Sequence, residues 1–118
     1  MRGLLLLPAL AAVALATAAT SSAATPKLTG VVGPGFTITL KSGAKVVKTL
    51  KAGTYTIAVS DRASIHDFHL FGPGVSKATT VPFVGKATWT VKLEPGTYTY
   101  QCDPHASAGM KGSFKVTG

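Results

Sequence analysis

Residues 96–110 read Gly-Thr-Tyr-Thr-Tyr-Gln-Cys-Asp-Pro-His-Ala-Ser-Ala-Gly-Met, and this stretch decides the fold. Tyr98, Tyr100 and Cys102 alternate along it, which is the period of a β-strand with one face turned inward. Pro104 cannot donate to a sheet ladder, so it ends the strand and opens a short loop. The stretch therefore predicts a strand whose end runs into a tight loop.

That loop carries three side chains that bind metals. A cysteine, a histidine and a methionine (Cys102, His105 and Met110) fall within nine residues, and Cys102 is the only cysteine of the chain. Taken singly, each is more often structural: a buried cysteine, an exposed histidine or a core methionine. A thiolate with imidazoles and one weak axial thioether, however, suits a single copper ion that cycles between Cu(II) and Cu(I). The three residues at this spacing predict a copper site.

A second imidazole must come from upstream, where His66 and His69 stand three residues apart. On one strand these two side chains would face opposite sides, so only one of them could reach the metal. Phe68 and Leu70 share the face of His66, which makes that face apolar and inward, whereas His69 shares its face with Asp67, a polar pair typical of solvent. The periodicity favours His66, and a register slip or bulge would select His69 in its place.

Residues 1–24 have the three parts of a secretory signal peptide: a basic start, a leucine- and alanine-rich run and small residues at the exit. We expect cleavage near Ala24. An uncleaved anchor is the alternative, because the apolar run approaches the roughly 20 residues that span a bilayer. Pro8 and the small residues favour cleavage. The predicted location is the periplasm, or the extracellular or cell-envelope face. A lone cysteine is unusual in such a compartment, and metal ligation explains it.

Residues 25–118 form one small domain, and the pattern predicts an all-β fold. Short stretches are separated by glycine and proline, and no helical period runs longer than two turns. Strands are expected near residues 27–32, 36–40, 45–50, 54–60, 66–71, 86–93, 97–102 and 112–117. About eight strands in a domain of this size predict a two-sheet sandwich. Tyr98 is expected to form a tyrosine corner, with its hydroxyl bonded to the preceding turn, and Trp89 to lie in the core.

The charge balance excludes some partners. The chain has 12 Lys and Arg against 4 Asp and Glu, and without residues 1–24, which contain Arg2, the domain carries 11 − 4 = +7. Arg62 is then the only arginine, and no aromatic and arginine platform for nucleic acid is present. A basic surface steers acidic partners, and an anionic membrane or envelope surface is a second candidate. Lysines that serve only solubility and the protection of sheet edges are the alternative.

The chain resembles the cupredoxin family, and within it the plastocyanin-like proteins. The resemblance is strongest over residues 95–118, where residues 96–105 and then Ala108-Gly109-Met110-Lys111-Gly112 follow the family pattern of strand, ligand loop and final strand. It is weaker over the rest of the domain. The family's first histidine is followed by a polar residue and then by alternating apolar residues, and His66 fits that pattern.

The resemblance implies a Greek-key sandwich with one type 1 copper site. His66, Cys102 and His105 would lie in a near-trigonal plane around the copper, with Met110 axial. It implies a monomeric one-electron carrier and not an enzyme. Multicopper enzymes need further copper sites with His-x-His pairs, whereas this chain has three histidines in total and no such pair.

The same resemblance implies how a partner would dock. His105 would be the partly exposed ligand through which electrons pass, inside an apolar rim of Pro34, Pro73, Pro104 and Ala106. The basic surface, unlike the acidic patch of plant members of the family, predicts an acidic redox protein as the partner, a cytochrome or a copper oxidase that docks transiently. Two alternatives use the same chain differently: a copper-trafficking protein of the cell envelope with the same ligands, or an interaction module that binds no metal.

Two positions depart from the family pattern. The family usually has Asn after its first histidine and Ser or Thr after its cysteine, where this chain has Asp67 and Asp103. Adjacent carboxylates repel each other unless one is protonated or turned to water, so the sequence does not establish whether the two ligand loops keep their usual tie. Gln101 precedes the cysteine where plant members have an aromatic residue, so a second electron route through that position is not expected either.

Overall fold

Two five-stranded sheets make up this computed structural model, which describes residue 3, residues 11–14 and residues 24–118. Most of the predicted signal peptide, residues 1–24, therefore lies outside the described residues. Within the described ranges, no helix is both long enough and apolar enough to cross a bilayer.

The first sheet has the strand order β3-β2-β1-β5-β8 and the second the order β4-β10-β9-β6-β7. The strands are β1 (Lys27–Val32), β2 (Ile38–Ser42), β3 (Lys45–Val46), β4 (Thr49–Lys51), β5 (Gly53–Asp61), β6 (His69–Gly72), β7 (Val75–Ala78), β8 (Gly85–Leu93), β9 (Gly96–Gln101) and β10 (Lys111–Thr117). The pairs β1–β5 and β4–β10 are parallel, and the other pairs are antiparallel. The predicted all-β sandwich is confirmed, with ten strands where about eight were expected.

Alternation along the strands builds the core between the sheets. In β5, Tyr55, Ile57, Val59 and Asp61 are buried and the residues between them are not, because successive side chains point to opposite faces. Trp89 is partly buried against this core. The buried hydrophobic residues are Leu28, Val32, Leu40, Val47, Tyr55, Ile57, Val59, Phe68, Leu70, Val91, Leu93, Tyr98, Tyr100, Cys102, Met110, Phe114 and Val116.

The predicted strand at 45–50 is two strands that belong to different sheets. Val46 pairs with Lys41 in the first sheet, and Thr49 pairs with Lys115 in the second. Val47 is buried between them, and its N–H donates to Leu40 O at 2.9 Å. The period of a strand does not reveal which sheet the strand joins, so the crossover was not predictable from it. Strand β7 was also missed, because its residues are mostly exposed and show no apolar alternation.

The predicted strand at 66–71 is wrong at its start. Strand β6 begins at His69, and the preceding residues His66, Asp67 and Phe68 are all buried in an irregular segment. Three consecutive buried side chains cannot belong to one strand with a single inward face. Asp67 is only 3% exposed, so its predicted place on the solvent face is wrong.

Tyr98 makes the predicted tyrosine corner. Its hydroxyl accepts a hydrogen bond from the Glu94 N–H at 2.9 Å and donates to Pro73 O at 2.7 Å. One fully buried ring therefore ties the β8–β9 turn to the β6–β7 turn. At the start of β5, the Tyr55 hydroxyl donates in a similar way to Lys51 O at 2.7 Å, which anchors the turn before that strand.

Candidate metal centre

The predicted site residues lie at one end of the sandwich. Strands β1 and β5 run parallel and finish together, with Val32 opposite Asp61, and the loops that follow them approach the loop after β9. We call this the site end, and the other the opposite end. The loops that carry or approach the predicted ligands span residues 33–37, 62–68 and 102–110, and the loop of residues 79–84 lies at the same end.

The loop after β9 is closed by its own backbone. A 3₁₀ helix covers Asp103–Ala108, with a proline in its first turn, and Gly109 ends it with a positive φ of 98°. Cys102 N–H donates to Met110 O at 3.0 Å, and Met110 N–H donates to His105 O at 3.3 Å. These bonds fix the relative positions of the three predicted ligands that the loop supplies.

His66, Cys102 and His105 converge on one point. The two Nδ1 atoms lie 3.1 Å apart, and Cys102 Sγ lies 3.6 Å from that of His66 and 3.4 Å from that of His105. Donor atoms bound to one ion at about 2.0–2.3 Å, with angles near 100–120°, lie roughly 3.1–3.8 Å apart. The separations therefore fit three ligands of a single metal ion.

The three residues differ in their access to solvent. His66 and Cys102 are fully buried, while His105 is partly exposed. Met110, the fourth predicted ligand, is 2% exposed and lies in the same closed loop. Of these side chains only His105 reaches solvent, so a partner protein would contact the site most directly through the His105 ring.

The donor set suits copper. Burial raises the pKa of the Cys102 thiol, although backbone hydrogen bonds from Asp67 and His105 partly offset that rise. A buried thiol of this kind becomes a thiolate when a metal binds it. A soft thiolate together with two imidazoles is the set that copper electron-transfer sites use, with a weak methionine as the axial ligand.

His69 lies outside this cluster. Its Nδ1 lies 3.0 Å from Asp103 Oδ1, and its Nε2 lies 3.1 Å from Ser76 Oγ. It pairs with Gln101 across β6 and β9, on the outer face of the second sheet. The structure therefore brings His66 to the site and directs His69 away from it, although the two do not sit on one strand as the periodicity argument assumed.

The two ligand loops are tied together through Asp67, a point that the sequence left open. The backbone N–H of Asp103 donates to Asp67 Oδ1 at 2.6 Å. The Asp103 carboxylate itself turns outward, where it accepts from Gln101 Nε2 at 2.9 Å and contacts His69. The two carboxyl groups therefore face different partners, Asp67 in the interior and Asp103 at the surface, although they remain close enough for Asp103 to raise the pKa of Asp67.

The pKa values of these carboxyls are displaced in opposite directions. Burial raises the pKa of Asp67, and the nearby Asp103 raises it further, while the backbone bond from Asp103 opposes the rise. Burial alone would also raise the pKa of Asp103, but hydrogen bonds from Gln101 and His69 outweigh it and lower that pKa. The surroundings thus make Asp67 harder to ionise than a free aspartate and Asp103 easier to ionise.

Phe36 is a site residue that the sequence did not reveal. Its ring meets the rings of His66 and His105 edge to face, with centroids 5.4 and 4.9 Å away. Although it makes these contacts, Phe36 is 65% exposed. It was expected in a strand at 36–40, but β2 begins only at Ile38, so Phe36 is free to lean over the imidazoles. The sequence signal that could have indicated it is an aromatic residue directly after Gly33-Pro34-Gly35, a turn sequence that places Phe36 in a loop.

Gly33 shapes the pocket of His66. Its φ is +71°, a conformation that favours glycine, and a Cβ there would lie 2.9 Å from His66 Cδ2. The Nε2 atom of His66 is buried and has no hydrogen-bond partner among the described residues. Packing against Gly33 and Phe36 therefore orients this ring, since no hydrogen bond at Nε2 does so.

The expected apolar rim needs one correction. Pro34 and Pro104 are exposed at the site end, and Ala106 is partly exposed there. Pro73 instead lies in the β6–β7 turn, where its ring packs beside Gly96 at the opposite end. The strand β6 leads away from the site, so the residues that follow it cannot border His105.

Comparison with known proteins agrees with this geometry. The model of the copper-binding proteins of the plastocyanin/azurin family matches residues 35–117. Plastocyanin of carrot (Daucus carota) is 47% identical over 49 residues, which are 39% of this chain and 50% of that protein. The match thus spans half the length of that curated relative.

Two solved structures have a similar fold. Reduced rusticyanin gives a TM-score of 0.61 at 23% identity, with 81% of each chain covered. Dithionite-reduced auracyanin of the photosynthetic bacterium Roseiflexus castenholzii gives 0.58 at 20% identity, with 81% of this chain and 100% of that one covered. The family match includes His66, Cys102, His105 and Met110, so the chain belongs to the plastocyanin/azurin family of copper-binding proteins, the cupredoxins, and copper is its metal.

Proposed function

We propose that this protein is an exported, mononuclear type 1 copper protein that carries single electrons. His66, Cys102, His105 and Met110 are its proposed ligands. The convergence of two imidazole nitrogens and one thiol sulfur within 4.8 Å of one another is the observation that carries the proposal. A bound copper ion would supply the Cu(II)/Cu(I) couple in this position.

The residues of the site are suited to hold one geometry in both oxidation states. The loop from Cys102 to Met110 is fixed by its backbone hydrogen bonds, and Asp67 ties it to the segment that carries His66. A preorganised site of this kind has little to rearrange when the charge of its metal changes. Low rearrangement supports a carrier.

A carrier is also favoured over an enzyme. Within the described ranges, one group of histidine, cysteine and acidic side chains has the geometry to hold a metal, and it is this trio. His105 lies at the surface, while the other two ligands of the trio are buried. Such an arrangement suits the passage of electrons more than the binding of a substrate at the metal.

We further propose that a partner docks over His105. Pro34, Phe36, Pro104 and Ala106 surround it with apolar surface, which suits the small, weak interfaces of redox encounters. The proposed partner is an acidic redox protein, a cytochrome or a copper oxidase; the overall positive charge would favour its approach, and the apolar surface would select the docking face. Export rests on the signal-peptide pattern of residues 1–24, and sequencing the amino terminus of the secreted protein tests it.

The central experiment adds Cu(II) to the purified protein and records its visible spectrum. An intense blue thiolate-to-copper band that ascorbate bleaches is expected. His66→Ala should abolish the band and His69→Ala should leave it. A colourless product, or loss of the band in the His69 variant alone, would contradict the proposal. Rapid loss of copper to a modest chelator would instead favour a copper-trafficking protein of the cell envelope.

A further inference from the structure

Charge is divided unevenly between the two ends of the sandwich. The half at the opposite end carries seven lysines and one acidic residue, Glu94, a net charge of +6. The half at the site end carries four cations and three acidic residues, a net charge of +1. The strand registers place Lys27, Lys41, Lys45, Lys48, Lys51, Lys92 and Lys115 in the first group and Arg62, Lys77, Lys86 and Lys111 in the second.

Five lysines of the opposite end lie on consecutive or hydrogen-bonded strands. Four of them lie within residues 41–51, the crossover from β2 through β3 to β4, and this segment contains no acidic residue. The fifth is on the neighbouring strand β10, where its N–H donates to Lys48 O at 3.0 Å. We call Lys41, Lys45, Lys48, Lys51 and Lys115 the lysine ridge.

An apolar side chain stands among these cations. Val46 lies between Lys45 and the buried Val47, pairs with Lys41 across β2 and β3, and is 43% exposed. Solubility alone would favour a polar residue there. An exposed valine next to lysines suits a lipid interface, because the lysines bind anionic headgroups while the valine contacts the boundary of the acyl chains.

The chain also enters the sandwich at this end. Lys27 begins β1 opposite Thr56, and Thr56 N–H donates to Pro26 O at 3.0 Å. Pro26 and Lys27, which follow the predicted cleavage site, therefore lie at the basic end and away from the metal site.

We infer that the lysine ridge seats this protein on an anionic lipid surface, with the site end directed away from the bilayer. Lysines near such a surface each add to binding, and salt screens the effect. Val46 favours lipid over a soluble anionic polymer, which offers no apolar phase. This binding is independent of the proposed electron transfer, and it leaves His105 free for a partner.

The test uses the copper-loaded domain that starts at residue 25, which keeps all ten strands because they lie within residues 27–117. Binding is measured by sedimentation with vesicles of phosphatidylcholine and phosphatidylglycerol at 3:1, and with phosphatidylcholine alone. We expect binding to the anionic vesicles only, and its loss in high salt. The triple variant Lys45→Gln, Lys48→Gln, Lys51→Gln should weaken it at least about tenfold.

A matched control removes the same charge from the other half. The triple variant Lys77→Gln, Lys86→Gln, Lys111→Gln should bind anionic vesicles within about threefold of the wild type, because these lysines lie nearer the site end. Equal losses in the two triple variants, or no binding to anionic vesicles, would overturn the inference. The blue band, recorded in each sample, separates these outcomes from a failure of the copper site.

Val46→Ser tests the choice of lipid. It should weaken binding to vesicles while leaving the ridge charge unchanged. Polyphosphate serves as the soluble polyanion: it should be bound equally by the wild type and the Val46 variant, and more weakly than vesicles of the same phosphate content. Tighter binding to polyphosphate than to vesicles would assign the ridge to a polymer and overturn the lipid assignment.

Discussion

Asp103 and Asp67 hold the two ligand loops together through one hydrogen bond, from the backbone N–H of Asp103 to Asp67 Oδ1 at 2.6 Å. Asp67→Ala removes the acceptor and leaves that N–H unpaired, which should lower the free energy of unfolding by about 1–3 kcal/mol. Urea unfolding of the metal-free protein measures this loss. Asp67→Asn keeps an acceptor oxygen and should recover most of it; equal losses in both variants would contradict the role of the bond.

The stability of the metal-free protein should depend on pH through Asp67. Its pKa in the folded state is raised above the ordinary 3.8, so the folded state holds the proton more tightly than the unfolded one. The stability it contributes is complete below 3.8 and is lost as pH rises through the raised pKa.

Asp67→Asn lacks this group, so wild type should lose stability relative to the variant as pH rises above the ordinary pKa of 3.8. The lowered pKa of Asp103 has the opposite sign and acts below its ordinary value of 3.8, outside the range in which Asp67 titrates. Unfolding curves at intervals of one pH unit test the difference. Parallel profiles for the two proteins would rule the assignment out.

Asp103 places a negative charge next to the ligand Cys102. Asp103→Asn removes it, which should destabilise Cu(II) relative to Cu(I) and raise the reduction potential by on the order of tens of millivolts. A redox titration of the blue band measures the shift. Glu94→Gln makes the same charge change in the β8–β9 turn of the opposite end and should leave the potential nearly unchanged. Equal shifts in the two variants would refute a local effect.

Gly33→Ala should disturb the metal site through His66. The new Cβ would lie 2.9 Å from His66 Cδ2, in a backbone conformation that L-residues rarely adopt. We expect a loss of about 1–2 kcal/mol in stability and a changed blue spectrum. Gly43→Ala is the control, since it also has a positive φ of 59° but nothing within 4 Å of its Cβ. It should lose stability without a spectral change.

Phe36 should slow the escape of copper. Its ring covers both imidazoles while making little contact with the core, so Phe36→Ala should leave the unfolding curve nearly unchanged and speed copper transfer to a chelator severalfold. Val84→Ala removes a comparably exposed apolar side chain, 58% exposed, and should not alter the rate. An unchanged rate in the Phe36 variant would exclude a covering role.

The parts of the molecule that follow simple periods were predictable. Strand β1 has the predicted bounds, and the loop from Cys102 to Met110 forms where Pro104 indicates a break. The segment around Asp67 was not predictable from the alternation of apolar residues. Its three consecutive buried residues are placed by contacts with distant parts of the chain, which leave no repeating pattern in the sequence. The family pattern, and not the strand argument, was the sound reason to prefer His66.

Residues far apart in sequence escaped prediction for a different reason. Phe36 meets His66 and His105 only because two loops fold toward each other, and no local pattern records that approach. The Asp67 bond likewise depends on a backbone N–H, which every residue except proline possesses. Side-chain chemistry alone suggested repulsion between the two aspartates.

The crossover from β3 to β4 has a mechanical consequence. Only Val47 and Lys48 separate a strand of one sheet from a strand of the other, so the covalent chain limits sliding of the sheets in this half of the sandwich. At the site end, the segment that contains His66 also connects the two sheets, because it links β5 of the first sheet to β6 of the second. A metal bound by His66 in this segment and by the loop after β9 would add coordination bonds to that peptide link, so the two sheets would be held together at the site end more rigidly than by the chain alone.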